Sequence, residues 1–442
     1  MSNTLVNIFK IPDLRKRILF TLFVLIIYRI GAHIPIPGID VLALKDYFAQ
    51  AKGAAGGMAD LLDLFTGGAM KRFTIFALGI MPYISSSIII DLMKVVFPTL
   101  ERLSKEGPEG QKKISQYTKY GTIVLCAFQS IMLTQWMKSM KGVVAKDAGL
   151  GFMVVTVIAI TTGTMVLMWL GEIITERGIG NGISLLIFAG IIVRAPQAVM
   201  QTVNKINETG EPIVFIILIG IILLVIASAI LLQLGARRVP VQYGKKVVGG
   251  QSIHQNAQFI PMRVNAAGVI PIIFASALIM FPSQALGFMG GVKSVWLNKL
   301  QYYMSPGQVP YMLIYCALII FFCFFYTAIK FNPADISENL KKYGGFIPGI
   351  RPGQHTTDYL TLILNRITLS GSIFLALIAI VPDFIIRIWP EQVSAQMAYL
   401  FGGTSLLIIV GVALDTLKQI ESQLIMRHYD GFIKDGRIKG RK

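Results

Sequence analysis

Apolar residues in this chain come in long blocks rather than in narrow amphipathic stripes. Ten blocks stand out, at roughly 18–34, 73–97, 117–137, 150–171, 182–203, 212–234, 264–286, 308–329, 366–389 and 395–417. A helix of about 20 apolar residues spans the hydrocarbon layer of a bilayer, and glycine or proline inside such a helix is tolerated better than in water. The pattern predicts an all-α membrane protein with ten transmembrane helices. Two stretches break it. Within 235–263, Val239, Val241 and Tyr243 alternate with polar neighbours, and Gly244 and Gly249-Gly250 punctuate the run, which predicts a hairpin standing above the membrane. Residues 60–65 read DLLDLF between Gly56-Gly57 and Gly67-Gly68, a half-length helix too short to cross. The spacing leaves two readings open there, a movable stopper and a re-entrant packing element.

Composition agrees with the class. Of 442 residues, 54% are hydrophobic and 14% charged, whereas a soluble domain carries about a quarter charged residues. The basic start, up to Arg17, runs into the first apolar block like a signal peptide. The block is too long for one, however, and Tyr28-Arg29 stands where small residues would be cleaved. It reads as a retained first membrane helix. Cys126, Cys316 and Cys323 all lie in apolar blocks. The last two are separated by roughly 10 Å along one helix, too far for a disulfide.

The net charge of +18 is compatible with nucleic acid, anionic lipid or topology alone. Its distribution favours topology. Ten crossings put both termini on one side, and with cytoplasmic termini the basic residues divide about two to one in favour of that side, despite contrary charges in 138–146 and 194–205. Loop 235–263 carries Arg237, Arg238, Lys245, Lys246 and Arg263 and no acid, and loop 330–365 carries Lys341, Lys342 and Arg351 among turn-forming Gly and Pro. Anchoring accounts for single Lys and Arg residues. Loops of this length exceed it and fit docking of a cytoplasmic partner.

Organisation follows: an N-terminal segment 1–17, a first half 18–203, an external connection 204–211, a second half 212–417 and a tail 418–442. Five helices per half is odd, so any internal repeat is inverted across the membrane. The first connection is long in both halves, 35–72 and 235–263.

Ionisable residues deep in the spans mark ion or substrate paths. Few are expected: Asp91, Glu172 and Asp415 lie toward cytoplasmic helix ends, Arg29, His33 and Arg387 toward outer ends. The interior offers Ser, Thr, Asn181, Asn265 and Gln129 instead. GIGNG at 178–182 opens a membrane helix rather than following a strand, so it is not a dinucleotide fingerprint. The four histidines, His33, His254, His355 and His428, have no metal-ligand spacing. No cofactor, metal or catalytic residue is expected, and driving energy is assigned to a partner. Ile80 with Ile84, and Ile183 with Ile187, stack at i, i+4. By spacing alone they are lipid-facing or packed residues.

Eight segments resemble the SecY family, the channel subunits of the bacterial secretion translocon: ALGIMPYISSSI at 77–88, KKISQY at 112–117, ERGIGNGIS at 176–184, GARRVP at 235–240, NAAGVIP at 265–271, NPAD at 332–335, GGFIPGIRPG at 344–353 and GGTSLL at 402–407. They follow the family's order along almost the whole chain. The resemblance is weakest over 138–150, 286–308 and 382–394.

The resemblance implies two inverted five-helix halves around an hourglass pore with a re-entrant plug helix, in the cytoplasmic (inner) membrane. It implies a waist ring of Ile80, Ile84, Ile183, Ile187, Ile273 and Ile408, and a plug at about 59–69 formed by Asp60, Leu61, Leu62, Asp63, Leu64, Phe65, Thr66, Gly67 and Gly68. A lateral gate would lie at Ser85, Ala277 and Phe281, with Gln129 and Asn265 as its polar cluster. Arg237, Arg238, Lys245, Lys246 and Arg351 would receive the motor ATPase SecA or the ribosome, through ribosomal RNA phosphate. SecE and SecG are implied as small partner subunits, signal sequences and unfolded preproteins as cargo, and membrane lipid as the destination of released segments. A secondary transporter of a small solute is the second hypothesis, raised by ten helices and a candidate inverted repeat. It requires a charged or ion-binding midplane, for which the sequence offers no candidate.

Overall fold

The computed structural model describes residues 11–50, 63, 65–140, 142–144, 149–210, 212–243, 247–248, 251–252, 258–288, 299, 303 and 307–435, with 49–50, 139, 247–248, 251–252, 280–288 and 426–435 described by backbone only. The expected sites Asp60, Leu61, Leu62, Leu64, Lys245 and Lys246 lie outside the described residues. Phe281 is described by its backbone.

The first half holds α1 (Pro12–Gly31), α2 (Val41–Gln50), α3 (Met81–Val96), α4 (Pro98–Lys105), α5 (Pro108–Ser139), α6 (Leu150–Arg177) and α7 (Gly182–Thr209). Next come α8 (Pro212–Leu234) and the strands β1 (Ala236–Tyr243), β2 (Val247–Val248), β3 (Gln251–Ser252) and β4 (Gln258–Arg263). The remainder is α9 (Ile270–Phe288), α10 (Val309–Lys330), α11 (Pro333–Lys342), β5 (Gly345–Phe346), α12 (Gln354–Ile388), α13 (Ala395–Phe401) and α14 (Gly403–Asp435). Each of the ten expected apolar blocks overlaps a described helix, the last of them two, α13 and α14. Among the described residues, six helices are long and apolar enough to cross a membrane, and α3 joins them if its 103° bend into α4 is counted as one span. On α8, Ile213, Ile216, Leu224 and Leu231 are each 67–72% exposed while Val214, Leu218 and Val225 are buried. An apolar helix with one face in the bundle and the other bare is a helix in lipid.

The helix boundaries differ from the expected blocks at three places with physical causes. Residues 73–80 form turns, not the first turns of α3, because Phe73 and Gly79 take positive φ and Pro82 sits at the helix start. The last block is broken at Gly402-Gly403. Gly403 has φ +57, and a Cβ there would lie 2.7 Å from the Ala379 carbonyl. The connection 204–211 is helical through Thr209, where Gly210 in the left-handed region caps α7.

The two halves meet along two seams. On one, α9 packs against α3 and α5; on the other, α7 packs against α8, α13 and α14 next to the Gly210 turn. One hydrophobic core runs across both halves, from Val24 and Ile84 to Ile319 and Leu407.

One end of the bundle carries a small antiparallel sheet, ordered β4-β1-β5. The alternation at Val239 and Val241 is realised, both side chains being buried. The expected loop 330–365 is largely helical: Asn332 caps α11 by accepting from the Ala334 N–H at 3.1 Å, and α12 starts already at Gln354. Val239 and Met262 share a core with Ile347, Leu360 and Ile363, which fuses the two loops into one platform.

Candidate functional site

Four elements bring most of the expected ring together. Ile80 and Ile84 open α3, linked by the Ile84 N–H donating to the Ile80 carbonyl at 3.1 Å. Ile187 comes from α7, Ile273 from α9 and Ile408 from α14. These five isoleucines, with Phe65, Met81 and Ser276, line a cavity of about 10 Å³, the room one water needs. A buried water also needs two to four polar partners. The wall offers the Ser276 hydroxyl, which already donates to the Ile273 carbonyl at 2.9 Å. Such a gap stays dry. Ile183 is not part of it; its side chain lies against Gly171 of α6, where a Cβ would approach to 2.9 Å.

The described part of the expected plug is fastened to both α1 and α7. Asp63 is ion-paired with Arg194, the side chains being 2% and 12% exposed. Asp63 also accepts from the Lys71 N–H at 3.0 Å. Arg29 donates to the Gly67 carbonyl at 2.8 Å, and the Tyr28 hydroxyl to the Thr66 carbonyl at 3.4 Å. Gly67 and Gly68 have φ of +64 and +95, and side chains there would strike Gly190 and the Arg194 guanidinium. Glycine is required at both positions by conformation and by space. Phe65 faces the isoleucine cavity and also a second one, lined by Asp383.

Along the α3/α5–α9 seam, Ser85 is half-buried, and Gln129 and Ala277 are buried. Ser86, rather than Ser85, ties α3 to α5, donating to the Thr118 carbonyl at 2.8 Å. A tight hydrogen-bonded amide cluster is not found: among the described residues nothing accepts from the buried Nδ2 of Asn265. On the sheet platform Arg237, Arg238 and Arg351 are exposed.

A SecY family model matches residues 74–417. The chain is also 44% identical over 443 residues to the protein translocase subunit SecY of Streptomyces galbus, covering 98% of this chain and 100% of that one. The chain belongs to the SecY family. Solved structures share the SecY fold at low identity. A protein-conducting channel superposes with a TM-score of 0.68 at 19% identity, covering 93% of both chains. The Sec61 chain of a canine ribosome–channel complex from the endoplasmic reticulum superposes with 0.64 at 18%, again over 93% of both.

Two ionisable residues within the helices of this SecY-family chain add to the few that the sequence expectation named. Arg194 lies within α7, whereas the sequence pattern assigns it to the 194–205 connection. A signal for its role is present: a cation in an apolar helix requires an anion, and Asp60 and Asp63 are the acids of the adjoining re-entrant segment. Asp383, in α12, is 3% exposed. The apolar residues around it in the sequence conceal it. A third polar link, Lys119 of α5 to Glu172 of α6 at 2.8 Å, is only partly buried and joins neighbouring helices.

Proposed function

We propose that this chain forms the pore of a protein-conducting channel of the cytoplasmic membrane, with isoleucines as its elastic waist and the 59–69 segment as its plug. The observation that carries this reading is the dry cavity framed by Ile80, Ile84, Ile187, Ile273 and Ile408, from both halves of the molecule, with Phe65 of the plug against it. An apolar constriction excludes ions by dewetting and yields around a passing chain, because no directional bond has to be broken. Ile183, which lies against Gly171 of α6 in this closed arrangement, would join the ring as it widens.

The seam between α3/α5 and α9 is the lateral gate, lined by Ser85, Ala277 and Phe281, with Gln129 and Asn265 at its polar centre. The unpartnered Asn265 amide supports this, since a buried donor without an acceptor favours opening toward a new partner. Termini and sheet platform face the cytoplasm, in line with the charge bias. Leu14 packs with Ile179, Ile420 and Leu424, so the start of α1 and the later turns of α14 meet at one face of the bundle. Arg237, Arg238, Lys245, Lys246 and Arg351 receive SecA or the ribosome there; the channel solved within a canine ribosome complex shares this fold. SecE and SecG complete the assembly, and the energy comes from the docked partner.

The test is reconstitution with candidate partner subunits and motor in vesicles, followed by protease protection of a secretory precursor. Protection that requires this chain supports the proposal; full protection without it, or none with it, contradicts it.

A further inference from the structure

Asp383 is a buried acid for which the channel reading has no use. It lies five residues from the end of α12, directly after Pro382, and among the described residues no Lys or Arg pairs with it. Its partners are neutral: the Tyr399 hydroxyl of α13 donates to Oδ1 at 3.0 Å, and the Gly307 N–H also points to the carboxyl. Around it lies a chamber of about 30 Å³ lined by Tyr311 and Tyr315 of α10, Thr404 and Ser405 of α14, Ser276 of α9 and Phe65 of the plug. The Tyr315 and Thr404 hydroxyls bond each other at 2.6 Å. Cys316 is within electrostatic reach from α10. Arg387, four residues on along α12, is exposed. The volume admits about two waters.

A lone carboxylate in such surroundings is costly, because neither a cation nor bulk water compensates its charge. We propose that Asp383 is a proton-binding site: it holds a proton in the closed channel, and losing that proton to the aqueous phase hydrates the chamber and loosens Phe65. The second half rests on the plug reading above. The first half does not. Neutral Asp383 keeps the tyrosine-lined chamber small, with Phe65 seated between it and the isoleucine cavity. Ionised Asp383 recruits water, and the chamber wall that gives most readily is the plug residue, which no helix of the bundle carries. The ligand is the proton alone, so no other reactant is needed.

The experiment titrates the outer pH of vesicles containing the full channel complex and reads two signals. Infrared difference spectra report a protonated carboxylic acid by its carbonyl stretch, and halide efflux reports the seal. The expected result is a carbonyl band at neutral pH that vanishes at alkaline pH and is missing in Asp383→Asn. Leak rises with pH in the unmodified channel, stays low and flat in Asp383→Asn, and regains its pH dependence in Asp383→Glu. Should Asp383→Asn not assemble, Tyr399→Phe removes one hydrogen bond and keeps the acid, so the same band moves to higher frequency. A neutral-pH band unchanged by either substitution overturns the proton site. A band lost in Asp383→Asn alongside a leak indifferent to pH retains the site and overturns its coupling to the plug.

Discussion

Arg194 of α7 is ion-paired with Asp63 of the proposed plug, the side chains being 12% and 2% exposed, although the two residues are 131 positions apart. Among the described residues Arg194 Nε is buried without a partner, and the guanidinium is held by this carboxylate and by Gln197, which accepts from it at 2.9 Å. Desolvating two charges offsets much of their attraction, but removing one partner strands the other at a cost of about 3–5 kcal/mol. The pair therefore acts as a latch more than as a source of net stability.

Breaking the latch unseats the plug. Arg194→Ala or Asp63→Asn is expected to raise the halide permeability of the resting channel in vesicles, and the double variant to leak less than the sum of the two effects. Strict additivity in that double-mutant cycle would show that the residues act independently.

Polar substitution at the waist breaks the seal in another way. Ile408 is 1% exposed and Ile84 8%; Asn at either position places an amide at the dry cavity, where lack of hydrogen bonds costs about 1–3 kcal/mol. Water entry relieves that cost. Ion conductance of Ile408→Asn or Ile84→Asn should exceed that of the unmodified channel, with relaxed signal-sequence discrimination in a translocation assay. Unchanged conductance in both would remove these residues from the ring.

How much of the structure is legible in the sequence differs from feature to feature. Long apolar blocks are a strong signal for the spans, although the helices run past them, α12 starting at Gln354 and α14 reaching Asp435. The sheet follows from the alternation at Val239 and Val241. The isoleucine ring is not readable from spacing, since stacked isoleucines fit lipid equally well; it requires the SecY resemblance. Asp383 with Tyr399 stays hidden, and Arg194 with Asp63 is only hinted at, because single ionisable residues in apolar surroundings acquire meaning from partners supplied by other elements. The breaks at 73–80 and Gly402-Gly403 depend on backbone turns and on close packing against Pro382 and Ala379, which hydropathy does not register.

The gate is expected to need movement between α3 and α9. Cysteines at Ser85 and Phe281 should cross-link in the resting channel and stop translocation, with reduction restoring it. Efficient transport through a fully cross-linked channel would contradict a gate at this seam.

The proposed docking at the platform would be electrostatic. Arg351→Glu should weaken motor- or ribosome-driven export, and the log–log salt slope of ribosome affinity should fall by about 1, because one phosphate is no longer neutralised. Wild-type affinity and slope would exclude Arg351 from the interface.

The most direct test follows a translocating chain through the waist. A precursor is stalled midway in channels carrying a photo-crosslinker at Ile84, Ile187 or Ile408, with Leu231 on the bare face of α8 (72% exposed) as the lipid-side control. Adducts to the precursor at all three ring positions, and none at Leu231, are the predicted result. Adducts at Leu231 with none at the ring would contradict a polypeptide path through the isoleucine waist.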